Sequence, residues 1–147
     1  MFLIQVKIKM KNTDDKKIAH ILRTARNIAI IGASDKSYRD SYSIMSFLLQ
    51  HGYNVIPVNP KYKSILSKKC YPRLLDINEP VDIVDIFRRP EDVPAVIEDA
   101  ITIKAKTVWM QLGAYNELAA KRAGEAGLNV ISNRCIKVDY ISLLGNG

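Results

Sequence analysis

Five short stretches hold most of the chain's chemically useful side chains: Gly32-Ala33-Ser34, Asn59-Pro60-Lys61, Phe87-Arg88-Arg89, Gln111-Leu112-Gly113 and Asn133-Arg134-Cys135. Each follows an apolar run. Three of the five contain arginine, counting Arg39 downstream of the first, and none offers an acid paired with a base. A guanidinium forks onto the oxygens of a phosphate or carboxylate, so the set reads as an anion pocket with no catalytic residues. Gly32 removes the side chain where a backbone must turn sharply and approach a ligand. Ser34 and Ser41 add hydroxyls, and a helix starting near Ser41 and Tyr42 would aim free N–H groups at a phosphate. Plainer readings stand beside these. Gly32 can simply end a strand, Ser41 can simply cap a helix, and Arg88 and Arg89 can be solvated residues ahead of Pro90. Phe87 either stacks on an adenine or fills core, and Trp109 reads as core. Cys135 sits between Arg134 and Lys137, a cationic setting that would stabilise a thiolate; a buried inert cysteine is the alternative, and Cys70 reads as structural.

Several other chemistries are disfavoured. Gly32-Ala33-Ser34-Asp35-Lys36-Ser37 lacks the second and third glycines of the dinucleotide fingerprint, and its loop to the next helix is too long. The second strand ends Val58-Asn59-Pro60, with no acid for a ribose. Both features argue against NAD, and less firmly against NADP, whose extra phosphate arginines could receive. His20 and His51 share no ligand spacing with the two cysteines, so no metal is expected. The net charge of +7 implies an anionic partner, and charge alone does not choose between nucleic acid and a phosphorylated small molecule. No nucleic-acid recognition motif is present. No apolar run approaches the roughly 18 residues of a membrane span, and residues 1–12 lack a secretory cleavage site. No membrane partner and a cytoplasmic address are therefore expected.

The elements that must position these loops follow from periodicity. Residues 2–10 alternate Ile4, Val6, Ile8 and Met10 against Gln5, Lys7 and Lys9, which predicts an added N-terminal edge strand. The other reading makes Met10 the natural start and the first nine residues an extension. Asn12 or Thr13 would cap a helix running to about Ala25. Buried parallel strands are then predicted at 27–32, 53–58, 81–87, 107–111 and 128–132. Helices are predicted at 41–51, with Gly52 as its cap, and at 90–103, 116–126 and 138–144. Residues 59–80 read as irregular. Strands alternating with helices imply an α/β, Rossmann-like, doubly wound domain: one mainly parallel five-stranded sheet with helices on both faces. A length of 147 residues favours a single domain spanning the chain.

The stretches IAIIGAS, HGYNVIPVNP, KCYPRLLDINEPVDIVDIFRRPEDVP and WMQLGAYNELAAKRAGEAGLNVISNRCIK, in this order, resemble the small stand-alone CoA-binding proteins. Their domain is similar to the nucleotide-binding domain of the succinyl-CoA synthetase α subunit and of ADP-forming acyl-CoA synthetases. The resemblance runs from about Ile18 to Lys137. It implies coenzyme A held across the strand ends, its phosphates against Gly32, Ala33 and Ser34 and the helix start at Ser41 and Tyr42. It further implies Asn59, Pro60 and Lys61 at the adenosine side, with Phe87, Arg88 and Arg89 opposite. Gln111 and Gly113 would face the pantetheine, and Asn133, Arg134 and Cys135 would close the far end. The family often places proline and arginine ahead of the helix serine. Here Tyr38-Arg39-Asp40 keeps the arginine and lacks the proline. The synthetases' phosphorylated histidine belongs to a second domain that this length cannot hold.

These readings converge on a non-catalytic module for CoA or a short acyl-CoA, with a homodimer plausible for so small a domain. The alternatives are an NAD(P)-binding regulatory domain and a thiol-exchange enzyme using Cys135.

Overall fold

The computed structural model describes residues 14–145. In chain order its elements are α1 (Asp15–Thr24), β1 (Asn27–Ile31), α2 (Asp40–Gln50), β2 (Asn54–Val58), β3 (Ser64–Ile65), β4 (Lys68–Lys69), β5 (Ile83–Ile86), α3 (Val93–Thr102), β6 (Thr107–Met110), α4 (Glu117–Glu125), β7 (Asn129–Ser132) and α5 (Ile136–Leu144). Single 3₁₀ turns occupy Leu74–Asp76 and Pro90–Asp92.

Five strands form one parallel sheet in the order β2-β1-β5-β6-β7. β1, β5 and β6 lie inside the sheet and carry continuous apolar runs because helices cover both faces. β2 lies at an edge, where Pro57, with no N–H to give, is tolerated. Ile28, Ile30, Ile83, Trp109 and Ile131 pack beneath Ile18 and Leu22 of α1, Ile44, Met45 and Leu48 of α2, and Ile136 of α5. Ala29, Ile31, Val84, Val108 and Met110 pack beneath Val93 and Ile97 of α3 and Ala119 and Ala123 of α4. Each large aliphatic side chain removed from water contributes about 1.5–3 kcal/mol, so these two layers are the main source of stability.

The expected doubly wound α/β architecture is present, with local differences. Asp14, not Asn12 or Thr13, caps α1 by accepting the Lys17 N–H at 2.9 Å. The expected strand at 2–10 and the choice between Met1 and Met10 lie outside the described residues. The stretch 59–80 is more ordered than expected, with the β3–β4 hairpin and a 3₁₀ turn. The third helix begins at Val93, because Pro90–Asp92 is a separate 3₁₀ turn. α5 begins at Ile136, a half-turn before the predicted start.

Strand order reverses between β1 and β5. The chain leaves β1 for β2 on one side and later enters β5 on the other, which opens a crevice at the strands' carboxyl ends. One residue beside that line breaks the apolar rule. Asp85 of β5 is wholly buried between Ile30 and Trp109, and neither carboxyl oxygen has a hydrogen-bond partner among the described residues. Burial pushes its pKa well above the usual carboxylate range.

Candidate functional site

At the crevice, the backbone turns out of β1 through Gly32 with φ +84°. A Cβ there would stand 2.5 Å from the carbonyl oxygen of Phe87 and 3.1 Å from Cδ of Arg88, so only glycine lets the β1 and β5 loops close on each other. The N–H groups of Gly32 and Ala33 both donate to Val58 O, at 3.1 and 3.3 Å. These two amides are therefore spent on the β2 end and are not free to cradle a phosphate. The role of the glycine turn is close approach.

Asn59 joins the loops from the other side. Its side-chain N–H donates to Ala33 O at 2.8 Å, and its Oδ1 accepts the Lys61 N–H at 2.9 Å. The Cys70 thiol donates to Asn59 O at 3.4 Å; burial pushes its pKa up, as suits a structural thiol. Ser34 Oγ accepts the Lys36 N–H at 3.0 Å, leaving its hydroxyl proton to donate.

These contacts shape a cavity of about 480 Å³, within the range of roughly 300–1,000 Å³ of small-molecule pockets. Gly32, Ala33, Ser34, Arg39, Ser41, Asn59, Lys61 and Phe87 line it, joined by three residues that the sequence reading missed: Tyr38, Asp40 and Tyr62. The first turn of α2 enters the wall at Asp40 and Ser41. A helix start lacks intrahelical acceptors for its first N–H groups and carries partial positive charge. The Arg39 guanidinium lies 5.6 Å over the exposed Tyr38 ring, and Lys61 adds a second cation. Asp40 is the one carboxylate in the lining. The arrangement suits a ligand that is both aromatic and anionic.

A family model described as the CoA binding domain matches residues 26–141. The chain belongs to the CoA binding domain family. The Bacillus subtilis (strain 168) protein YneT is 38% identical over 131 residues, covering 89% of this chain and 97% of that protein. A hypothetical protein from Pyrococcus horikoshii OT3 has the same fold, with a TM-score of 0.89, 45% identity, and coverage of 91% of this chain and 94% of that one. The α subunit of the ADP-forming acetate–CoA ligase I of Pyrococcus furiosus is 32% identical over 111 residues. That match covers 71% of this chain and 23% of the ligase subunit, so the likeness extends to one part of the larger enzyme.

Within this CoA binding domain the other predicted site residues lie outside the cavity. Tyr42 is half-buried against the core of α2, and Pro60 is exposed beside Asn59. Arg88 and Arg89 are exposed and tied to Asp92, Arg88 at 3.7 Å and Arg89 at 3.2 Å, with Glu91 3.9 Å from Arg89. Gln111 is buried, and its Oε1 accepts the Ile136 N–H at 3.0 Å, capping α5. Gly113 and Asn133 are exposed, each with a positive φ. Arg134 is fixed by Asp139 at 2.7 Å and reaches Asp15 at 3.3 Å. Half-buried Cys135 follows Arg134 directly. Arg134 faces these two acids, and Lys137 lies 5.4 Å over the Phe47 ring. Among the described residues no group of three His, Cys, Asp or Glu side chains could hold a metal ion.

Proposed function

We propose that the chain binds coenzyme A, free or with a short acyl group, in the cavity at the carboxyl ends of β1, β2 and β5. The observation that carries this reading is the convergence of the Gly32 turn, the first turn of α2 and the Asn59–Lys61 loop on one cationic, aromatic hollow. The free N–H groups of α2 and the hydroxyls of Ser34 and Ser41 take the phosphates, with Arg39 and Lys61 supplying counter-charge. Phe87, Tyr62 and Tyr38 offer ring faces to the adenine. The pantetheine runs along the strand ends toward Gly113 and Asn133, beside Gln111, Arg134 and Cys135.

The role is that of a binding module. The lining holds no histidine or cysteine and a single carboxylate, and among the described residues neither Ser34 nor Ser41 is hydrogen-bonded to a base that would activate it. Thermal unfolding with added CoA tests the reading. At a hundredfold excess over Kd the fold should gain about 2.7 kcal/mol, and Arg39→Ala with Lys61→Ala should erase most of the gain. No shift at millimolar CoA would overturn it.

A further inference from the structure

A second cavity, of about 890 Å³, opens at the opposite end of the strands, where β1 and β2 begin. Part of its wall is formed by the rings of His51, Tyr53 and Tyr140, with Phe47 behind them. His51 stacks on Phe47 at 4.0 Å, Tyr140 meets His51 edge-on at 4.9 Å, and Tyr53 meets Tyr140 at 6.1 Å. His51 Nδ1 lies 2.7 Å from Phe47 O and so donates to it, which leaves Nε2 as the ring's other polar atom. The Tyr53 hydroxyl donates to Leu22 O, fixing that ring. Gly52, with φ +89°, turns the chain into β2 at the cavity's wall.

The charge at this cavity is also left unneutralised. Arg88, Arg89, Arg122 and Arg134 are tied to acids, whereas Arg23 and Arg26, which line the cavity, have no ion-pair partner among the described residues. The acids nearby are occupied. Asp82 accepts the backbone N–H groups of Arg26 and Asn27 and pairs with Lys106 at 3.3 Å, and Glu79 accepts from the Asn54 amide. Arg23, in the last turn of α1, complements the helix dipole. That role does not account for Arg26, which lies beyond the helix, or for the aromatic wall.

We infer that this cavity binds a small aromatic anion, with a flat ring against His51 and Tyr140 and a phosphate or carboxylate at Arg23 and Arg26. The inference does not rest on the CoA reading of the first cavity. Site-resolved NMR of the full chain tests it, with AMP as the probe and adenosine and inorganic phosphate as its two halves. AMP should shift the signals of His51, Gly52, Tyr53 and Tyr140, and each half alone should bind about tenfold more weakly or worse. Arg23→Ala with Arg26→Ala should abolish those shifts while leaving the Gly32-loop response to CoA unchanged. Both side chains are exposed, so the variant keeps its fold. Failure of CoA to shift the Gly32 loop in the wild type would count against the proposed function and leave this site standing. Three results would overturn the inference: AMP shifts confined to the Gly32 loop, phosphate alone matching AMP, or full AMP binding by the double variant.

Discussion

Two residues show how single side chains set the terms of this fold. Gly32 has a positive φ and a neighbouring carbonyl 2.5 Å from any Cβ. Gly32→Ala must therefore strain the turn and push the β1 and β5 loops apart, at a cost of about 1–3 kcal/mol. Its midpoint of thermal unfolding should fall and its CoA response should weaken. An unchanged melting curve would show that the two loops separate without cost. Asp85 acts through pH. Its folded-state pKa is raised by burial, while in the unfolded chain it titrates near about 4. Above that point the unfolded chain gives up a proton that the fold keeps. Its contribution to stability is therefore fully present below about pH 4 and is lost as pH rises toward the folded pKa. The loss reaches up to about 1.4 kcal/mol per pH unit. Asp82 works in the opposite sense. Burial alone would raise its pKa, but the N–H groups of Asn27 and Arg26 and the Lys106 ammonium outweigh that and lower it, so its stabilisation is lost on acidification. Comparing Asp85→Asn with the wild type isolates the first effect. Urea unfolding between about pH 5 and pH 8 should show a flatter stability profile for the variant; parallel profiles would mean that Asp85 is ionised in the fold.

At the scale of elements, the join between β6 and α5 depends on one side chain reaching across the sequence. α5 begins after Cys135, which makes no side-chain capping bond. The first N–H of the helix is instead satisfied by Gln111 Oε1, from the end of β6. Gln111→Ala would strand a buried N–H and cost about 1–3 kcal/mol, read as a lower denaturant midpoint at unchanged slope. Full stability in that variant would mean that water or another acceptor replaces the amide. The same contact explains why this boundary was hard to read. A start signal is sought in the residues next to a helix, whereas this one lies 25 positions away. The sheet strands were legible because burial on both faces leaves largely apolar runs, such as Asn27–Ile31 and, Asp85 apart, Ile83–Ile86. The β3–β4 hairpin was not. Its strands are two residues long, and its turn places Leu66 and Ser67 at φ 49° and 64° without the Asn-Gly signal of such turns. The Gly32 loop and Asn59 could be found from the sequence because each ends a strand. Tyr38, Asp40 and Tyr62 could not, since which loop residues face one hollow depends on how the α2 start folds back. The ion pairs of Arg88 and Arg89 were legible too: Asp92 stands four and three positions on, the spacing of a local ion pair.

For the molecule as a whole, the open question is what its positive charge does. A net charge of +7 draws any anion toward the surface, and by itself it would favour nucleic acid as much as CoA. No helix among the described residues is long and apolar enough to cross a membrane. Part of the cationic surface is locally neutralised: Arg122 by Glu98 at 3.0 Å, Arg134 by Asp139 at 2.7 Å, Lys106 by Asp82 at 3.3 Å. Arg39 and Lys61 stand in the first cavity without such partners among the described residues. Paired and unpaired cations therefore coexist on the molecule, and the first cavity holds two of the unpaired ones. Salt separates the two populations, because the screening length falls from about 10 Å at 0.1 M to about 3 Å at 1 M. CoA affinity should drop by about tenfold over that range if several phosphate contacts carry binding. Arg39→Ala should weaken binding and also flatten its salt dependence, since it removes one of the contacts that salt screens. Arg122→Ala, which removes a cation already neutralised on the α4 face, should change neither. Equal losses in both variants would mean that total charge, not the cavity, attracts the ligand. A salt-independent affinity would shift the weight of recognition onto Tyr38, Tyr62 and Phe87.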